Sequence, residues 1–191
     1  DNFTTIDCCY DRELNRLRIF NEISESSKGK GITRFISTHP DEDHIKGLKT
    51  FLNNTNASLL VSSGTLKALK ESDKIPAKTD IVLMDNGETE IGGVKVSRFA
   101  TSHDCEGSSG YTFILPDNKK VAVCTDLGIV TDEVRNAIMG SDLVLLESNH
   151  DIEMLKKGPY PAHLKVRILS EKGHISNNIC ASELPTLLKN G

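Results

Sequence analysis

Short apolar runs rich in β-branched residues recur along the chain, and turn or polar residues separate them. Each run has the length of one strand of a sheet. The turn signals Asn86-Gly87, Gly92-Gly93 and Pro116-Asp117-Asn118 lie between runs, as tight connections require. The pattern predicts strands over residues 3–7, 32–37, 57–62, 81–84, 94–99, 111–115, 120–124 and 143–146, the last of them buried.

Between these runs, apolar residues recur at helical spacing, and polar caps mark where helices begin. Thr131 is the expected N-cap of one helix, with Glu133 in its first turn. Strands that alternate first with hairpins and then with helices indicate an α/β fold with central sheets and outer helices. We predict a single domain over residues 1–191, with helices over 11–23, 48–52, 63–69, 131–139 and 165–169, and a last helix that begins at 176 or 177 and ends at 189–191 with Gly191 as C-cap.

A cluster of metal-capable side chains follows the second predicted strand. It consists of His39, Asp41, Asp43 and His44. A strand that ends at imidazoles and carboxylates places them on a loop at the C-terminal edge of its sheet. This mixture of ligands suits zinc, manganese or iron, whereas magnesium and calcium prefer oxygen alone. The alternative interpretation is a solvated, charged loop, and the further candidate ligands downstream argue against it.

Five more candidate residues follow, most of them just after an apolar run: His103, Asp126, Glu147, His150 and His174. Any one of them alone would more often be a surface or core residue. Residues that follow several strands can converge on one sheet edge, and their joint recurrence favours a site. A carboxylate such as Asp126 can bridge two cations, and two cations can hold a hydroxide and clamp both oxygens of a displacement.

Composition limits the classes of protein that fit. The chain has 191 residues, of which 37% are hydrophobic and 26% charged, as expected for a soluble globular protein with a substantial core. Its net charge of −4 argues against a uniformly basic nucleic-acid coat. It leaves nucleic acid open as a partner, because bound divalent cations reverse the sign locally. No apolar run is long enough to span a membrane, so we expect no membrane partner.

The cysteines indicate a reducing compartment. There are five, two of them adjacent, and none forms a CxxC pair. This pattern suits reduced thiols in a cytoplasmic protein better than a disulfide framework. Cys105 and Cys124 lie near predicted ligands, so either can touch a metal, although packing is the favoured interpretation.

These motifs resemble those of the metallo-β-lactamase-fold hydrolases, whose first motif is HxHxDH. Here it reads His39-x-Asp41-x-Asp43-His44, and His103 and Asp126 match the second and third motifs. From about residue 57 the chain is similar to the YycJ/WalJ-like branch, and its first 55 residues are more similar to the ComEC-type hydrolase domain. The matches to the branch are Ser102-His103-Asp104, Gly110-Tyr111, Thr125-Asp126-Leu127-Gly128, Glu147-Ser148-Asn149-His150-Asp151, Gly158-Pro159-Tyr160-Pro161 and Gly173-His174-Ile175-Ser176-Asn177.

The resemblance implies a four-layer αββα sandwich and a pair of divalent metal ions, manganese or zinc. It assigns His39, Asp41 and His103 to one ion, Asp43 and His44 to the other, and Asp126 as the bridge. It also implies that Glu147 and His174 form a pair that protonates the leaving oxygen, a task that suits a histidine oriented by a carboxylate. The predicted catalytic residues are therefore Asp43, Glu147 and His174.

Two departures from the family pattern affect this interpretation. Asp41 replaces a neutral imidazole with a hard anion, which should shift the metal preference from zinc towards manganese or magnesium. The family's first strands and its terminal metal-binding histidine have no counterpart in these 191 residues, so we expect a weakly held second ion or a substitute ligand, His174 or His150.

The leading hypothesis is a phosphodiesterase or nuclease that cleaves DNA by attack of a metal-bound hydroxide. Lys165 and Arg167 are the candidate phosphate-binding residues, and a solvated helix face is the alternative for them. Two other functions stay open. One is hydrolysis of a different ester, such as a lactone, a thioester or a small phosphodiester. The other is a truncated, non-catalytic domain that binds metal.

Overall fold

A computed structural model describes residues 3–6, 21–23, 25–26, 28, 32–85 and 87–188. The chain divides into two compact units. The N-terminal unit holds the chain up to residue 86 together with Cys105–Gly107, and the C-terminal unit holds Gly87–Asp104 and the chain from Ser108 onward. The single domain predicted over residues 1–191 stays a prediction.

The N-terminal unit is built on a parallel sheet of four strands in the order β1-β2-β3-β4. Strands buried on both faces are rich in apolar residues, and the middle strands of this sheet are largely so, although β2 also carries the buried Arg34. Phe35, Ile36, Leu59, Leu60 and Val61 are all fully buried. The strands are β1 (Phe3–Ile6), β2 (Ile32–Ile36), β3 (Ser58–Val61) and β4 (Ile81–Leu83).

Helices Glu42–Ile45, Leu48–Asn54 and Ser63–Glu71 carry the chain from β2 to β3 and from β3 to β4. The core of the unit forms where apolar residues of the helices meet the sheet, and the rings of Phe35 and Phe51 lie 5.0 Å apart there. Ser62 caps the helix that follows it, because its side chain accepts a hydrogen bond from the Thr65 amide.

The C-terminal unit is built on a sheet of five strands in the order β5-β6-β7-β8-β9. Neighbouring strands are antiparallel except β8 and β9, which are parallel. It follows that β6, β8 and β9 run in one direction and end at the same edge of the sheet. The strands are β5 (Glu88–Ile91), β6 (Val94–Ala100), β7 (Ser109–Ile114), β8 (Lys120–Cys124) and β9 (Leu143–Leu146).

Four helices complete the described part of this unit: Asp132–Ile138, Ile152–Lys157, Ala162–Ile168 and Asn177–Leu187. Thr131, Asp151 and Ser176 cap three of them through their side chains, as predicted for Thr131. The first and last helices pack their apolar faces on the sheet in a core that includes Cys124 and Cys180. Among the residues that the structure describes, no helix is long and apolar enough to cross a membrane.

Two predictions of local structure are wrong, and one strand was missed. Strand β9 is not buried, because Leu143 and Leu145 are 57% and 55% exposed on the outer face of an edge strand. Strand β5 went unpredicted, since its sequence Glu-Thr-Glu-Ile carries one apolar residue. The last helix stops at Leu187 rather than at 189–191, because Leu188 is already extended. The helix predicted over 11–23 lies outside the described residues except for 21–23, which are helical, and Gly191 also lies outside them.

Candidate metal centre

The first group of candidate ligands lies in the N-terminal unit, where β2 ends. His39 is 1% exposed, and its Nδ1 lies 2.8 Å from the Thr38 hydroxyl. With the Nδ1 proton donated to that hydroxyl, Nε2 keeps the lone pair that a metal needs. Nε2 lies 3.9 Å from Asp41 Oδ2, and the rings of His39 and His44 lie 3.9 Å apart. Asp43 accompanies His44, with 3.6 Å between Oδ2 and Nε2.

The predicted loop is shorter than expected. Asp43 and His44 lie in the short helix Glu42–Ile45, and Asp41 occupies its N-cap position. All four ligands still follow the C-terminal end of β2, so the predicted placement at this edge of the parallel sheet is confirmed.

A thiol from the same unit joins this group. The ligand atoms of His39, Asp41 and Cys105 all lie within 4.8 Å of one another. Cys105 is partly exposed and is not disulfide-bonded. The sequence placed Cys105 close to His103 along the chain, but gave no sign that its thiol approaches His39 and Asp41.

The second group lies entirely in the C-terminal unit. His103 follows β6, Asp126 follows β8, and His174 precedes the last helix. Their ligand atoms lie within 4.8 Å of one another, so each can contribute to one site. Asp126 takes a left-handed backbone conformation, with φ of 56°, which turns the chain sharply just after β8. The parallel directions of β6 and β8 explain why His103 and Asp126 meet, as the sequence predicted.

The backbone around Gly173 fixes the ring of His103. Nδ1 lies 3.2 Å from the Gly173 carbonyl oxygen, which can only accept a hydrogen bond, so Nε2 is the nitrogen left with a lone pair for a metal. Only glycine fits at position 173, because a Cβ there would stand 2.2 Å from the Arg167 carbonyl oxygen and 2.3 Å from that of Ile168. The end of helix Ala162–Ile168 therefore supports the second group directly.

An arginine–carboxylate pair stands next to His103. Arg167 forms two hydrogen bonds with Asp104, Nε to Oδ2 at 2.5 Å and Nη2 to Oδ1 at 2.8 Å. Asp104 Oδ1 lies 3.5 Å from His103 Nε2. The hydrogen bonds from Arg167 lower the pKa of the Asp104 carboxyl against the opposing effect of burial. Asp104 was part of a recognised motif, but its partner is 63 residues away along the chain, and no sequence pattern joined them.

Glu147 and His174 form the predicted pair. Glu147 Oε1 lies 2.6 Å from His174 Nδ1, and its Oε2 accepts the Leu127 amide at 3.1 Å. The hydrogen bond to Glu147 raises the pKa of His174, and it outweighs the desolvation that acts against the charged imidazole. Asp126 Oδ1, at 3.8 Å from the same Nδ1, adds to the effect. The arrangement produces a partly buried imidazole that favours its protonated form.

The remaining candidates from the sequence are Lys165, His150 and Cys124. Lys165 donates to the Lys156 carbonyl at 2.6 Å and so joins helix Ala162–Ile168 to helix Ile152–Lys157. Burial lowers the pKa of His150, and neither ring nitrogen has a hydrogen-bond partner within the described chain; it belongs to no described ligand group. Burial raises the pKa of the Cys124 thiol to about 12, so Cys124 packs in the core as a neutral side chain. A phosphate-binding role for Lys165 and Arg167 stays a prediction.

Comparison with known proteins places this architecture in a family. The model of the beta-lactamase superfamily domain matches residues 4–182. The exodeoxyribonuclease YycJ of Bacillus anthracis is 33% identical over 151 residues, which is 78% of this chain and 57% of that protein. The exodeoxyribonuclease WalJ of Streptococcus pneumoniae is 31% identical over 185 residues, which is 94% of this chain and 68% of that protein.

Solved structures agree on the fold. The metallo-beta-lactamase fold protein YhfI from Bacillus subtilis has a TM-score of 0.63 and 13% identity, with 97% of this chain and 80% of that chain covered. The predicted α/β fold with two sheets and flanking helices is thereby confirmed as the metallo-β-lactamase fold.

Proposed function

Since the chain belongs to the beta-lactamase superfamily, in its YycJ/WalJ-like branch, we propose that it is a metal-dependent phosphodiesterase that cleaves DNA. The observation that carries the proposal is the Glu147–His174 pair within reach of Asp126. A proton donor beside candidate metal ligands is what cleavage of a phosphodiester requires, because the departing alkoxide must be protonated.

The candidate ligands suit divalent metal ions in their atom types and in the hydrogen bonds that orient their rings. Both groups combine imidazole nitrogen with carboxylate oxygen, a set suited to zinc or manganese. The Gly173 carbonyl holds Nδ1 of His103, which therefore presents Nε2, and His39 presents Nε2 when its Nδ1 donates to the Thr38 hydroxyl. We propose that the two groups bind two divalent ions through His39, Asp41, Asp43, His44, His103 and Asp126.

When bound, such ions lower the pKa of water and neutralise charge that develops on phosphate. The chain's own residues then supply orientation and protons. Glu147 holds His174 by Nδ1 and favours the imidazolium, which leaves Nε2–H as the acid. As a water oxygen bonds to phosphorus and gives up a proton to solvent, the bond from phosphorus to the leaving oxygen breaks, that oxygen takes the Nε2 proton and His174 becomes neutral. Solvent returns the proton before the next cycle.

The negative charge of a DNA backbone calls for a positive surface on the protein. Lys156 and Lys157 lie 3.4 and 3.7 Å from the carboxylate of Glu153, in exposed pairs that solvent screens. Such pairs exchange readily with a phosphate, so both lysines remain available to a DNA backbone. A cytoplasmic location is also part of the proposal, supported by the thiols Cys105, Cys124 and Cys180.

The test is cleavage of end-labelled duplex DNA by the purified chain, with manganese or zinc supplied and then removed by a chelator. We expect cleavage that needs the metal and that disappears in Asp126→Ala and His174→Gln. His163→Gln is the matched control, since His163 is an exposed histidine of the same unit outside the described ligand groups.

Two results would contradict the proposal. Cleavage that survives chelation would show that the activity does not depend on a metal. An inactive wild-type chain that is folded and metal-loaded would instead indicate a different ester as substrate.

A further inference from the structure

Cys105–Gly107 is a three-residue segment that belongs to the N-terminal unit. Its anchor is Gly107, whose carbonyl oxygen accepts hydrogen bonds from Ser62 Oγ at 2.9 Å and from Thr65 Oγ1 at 3.2 Å. Both hydroxyls belong to the first turn of helix Ser63–Glu71 and its cap. The segment is therefore tied to a helix that follows the buried strand β3.

The contact between segment and helix is a close approach of two backbones. A Cβ on Gly64 would stand 3.0 Å from the Gly107 Cα, so a larger residue would push the segment away. Gly107 itself has φ of +79°, and a Cβ there would stand 2.6 Å from the Thr65 amide nitrogen. Glycine at both positions allows an approach that fixes the backbone just after Cys105.

This anchoring brings a thiol to the first ligand group. Cys105 Sγ lies within 4.8 Å of ligand atoms of both His39 and Asp41. His39 is buried, and its Nδ1 is held by Thr38, so its Nε2 has little freedom to turn elsewhere. Imidazole, carboxylate and thiol in one place are three of the ligand types that zinc accepts in proteins.

We propose that Cys105 is a thiolate ligand of the metal ion that His39 and Asp41 bind. The inference rests on the metal dependence in the proposed function, and it adds a residue that the family motif does not contain. On binding, the bond from sulfur to metal forms as the thiol loses its proton to solvent. No electron is transferred and no other reactant is needed.

A thiolate changes which metal this site prefers. Sulfur is a soft ligand and selects zinc or cobalt over manganese and magnesium, whereas the carboxylate of Asp41 acts in the opposite direction. Removal of the thiol should therefore lower affinity for zinc far more than affinity for manganese. We expect the ratio of the two affinities to fall by about tenfold or more in Cys105→Ser, on the scale of losses seen when support of a metal site is removed.

Cobalt(II) titrated into the metal-free chain tests the proposal directly. Cobalt bound by a thiolate gives a ligand-to-metal charge-transfer band in the near ultraviolet, and cobalt bound by nitrogen and oxygen alone does not. We expect the band in the wild-type chain and in Cys180→Ala, a control that removes a buried core thiol. We expect its loss in Cys105→Ser, a nearly isosteric change at a partly exposed position.

The outcomes separate this inference from the proposed function. Cobalt that binds with visible bands but without the charge-transfer band overturns the thiolate and leaves the metal-dependent hydrolase standing. A band that persists in Cys105→Ser assigns the thiolate to another cysteine and also overturns the inference. A chain that binds no cobalt, zinc or manganese overturns both proposals.

Discussion

Replacement of Glu147 by glutamine would isolate what its charge does for His174. The two side chains are 9% and 20% exposed, and Oε1 lies 2.6 Å from Nδ1. A hydrogen bond between such charged groups stabilises the fold by about 1.5–3 kcal/mol. Glutamine keeps the size but has one acceptor oxygen instead of two, so besides the charge the variant loses an acceptor for His174 or for the Leu127 amide, a cost that adds at either pH.

The loss of stability in the variant should be larger at low pH than at high pH. Glu147 raises the pKa of His174 in the folded chain, so the stabilisation is fully present below the unfolded value of about 6.5. Most of it is lost as the pH rises through the folded pKa, since a neutral His174 keeps only a weaker hydrogen bond to the carboxylate. Glu147→Gln should therefore cost about 1.5–3 kcal/mol near pH 6 and clearly less near pH 9.

The assay is urea denaturation of the chelator-treated chain at the two pH values. Glu183→Gln is the matched control, because it removes the charge from a carboxylate that Arg135 holds by two hydrogen bonds. Neither Arg135 nor Glu183 changes protonation between these pH values, so the loss in the control should be the same at both. An equal loss at both pH values in Glu147→Gln would refute the proposed imidazolium.

Three further changes test other parts of the structure. Arg167→Met should weaken metal binding by the second group about 10- to 100-fold, because Asp104 loses its partner beside His103. Competition with a coloured chelator measures the metal affinity. An equal loss of affinity in Arg135→Met would contradict the prediction. Gly173→Ala should destabilise the chain by about 1–3 kcal/mol, since its Cβ would overlap two carbonyl oxygens; unchanged thermal unfolding would contradict the crowding. Leu145→Ala should lower the free energy of unfolding by less than about 0.5 kcal/mol, because the side chain is mostly exposed. Ile138→Ala, at a fully buried core position, should lower it by about 2–5 kcal/mol.

Local patterns were sufficient to find most strands and the residues that follow them. β2 and β8 are largely apolar runs that end at polar residues, so their ends and the candidate ligands His39 and Asp126 could be predicted from neighbours along the chain. The relative direction of the strands could not be predicted in the same way. That His103 and Asp126 meet depends on β6 and β8 running in parallel on either side of β7, which is a property of the folded sheet.

Burial and long-range pairing account for what the sequence did not show. An apolar run such as Leu143–Leu146 reads as buried whether it lies inside a sheet or at its edge, and here it forms the edge. Asp104 finds Arg167 only because helix Ala162–Ile168 ends beside it. Cys105 reaches the first ligand group only because Gly107 packs against the helix that Ser62 caps. Each of these contacts joins residues far apart along the chain.

The partner of Nδ1 distinguishes the proposed metal ligands His39 and His103 from the proposed acid His174. The Nδ1–H of His103 donates a hydrogen bond to a backbone carbonyl, and Nδ1 of His39 lies 2.8 Å from the Thr38 hydroxyl, so both partners are neutral oxygens. A neutral acceptor fixes the tautomer without adding charge, and the ring stays a neutral ligand through Nε2. The Nδ1–H of His174 donates a hydrogen bond to the Glu147 carboxylate, and the negative charge stabilises the imidazolium. An imidazolium has no lone pair for a metal but has a proton to donate, which is why we propose His174 as the acid and His39 and His103 as ligands.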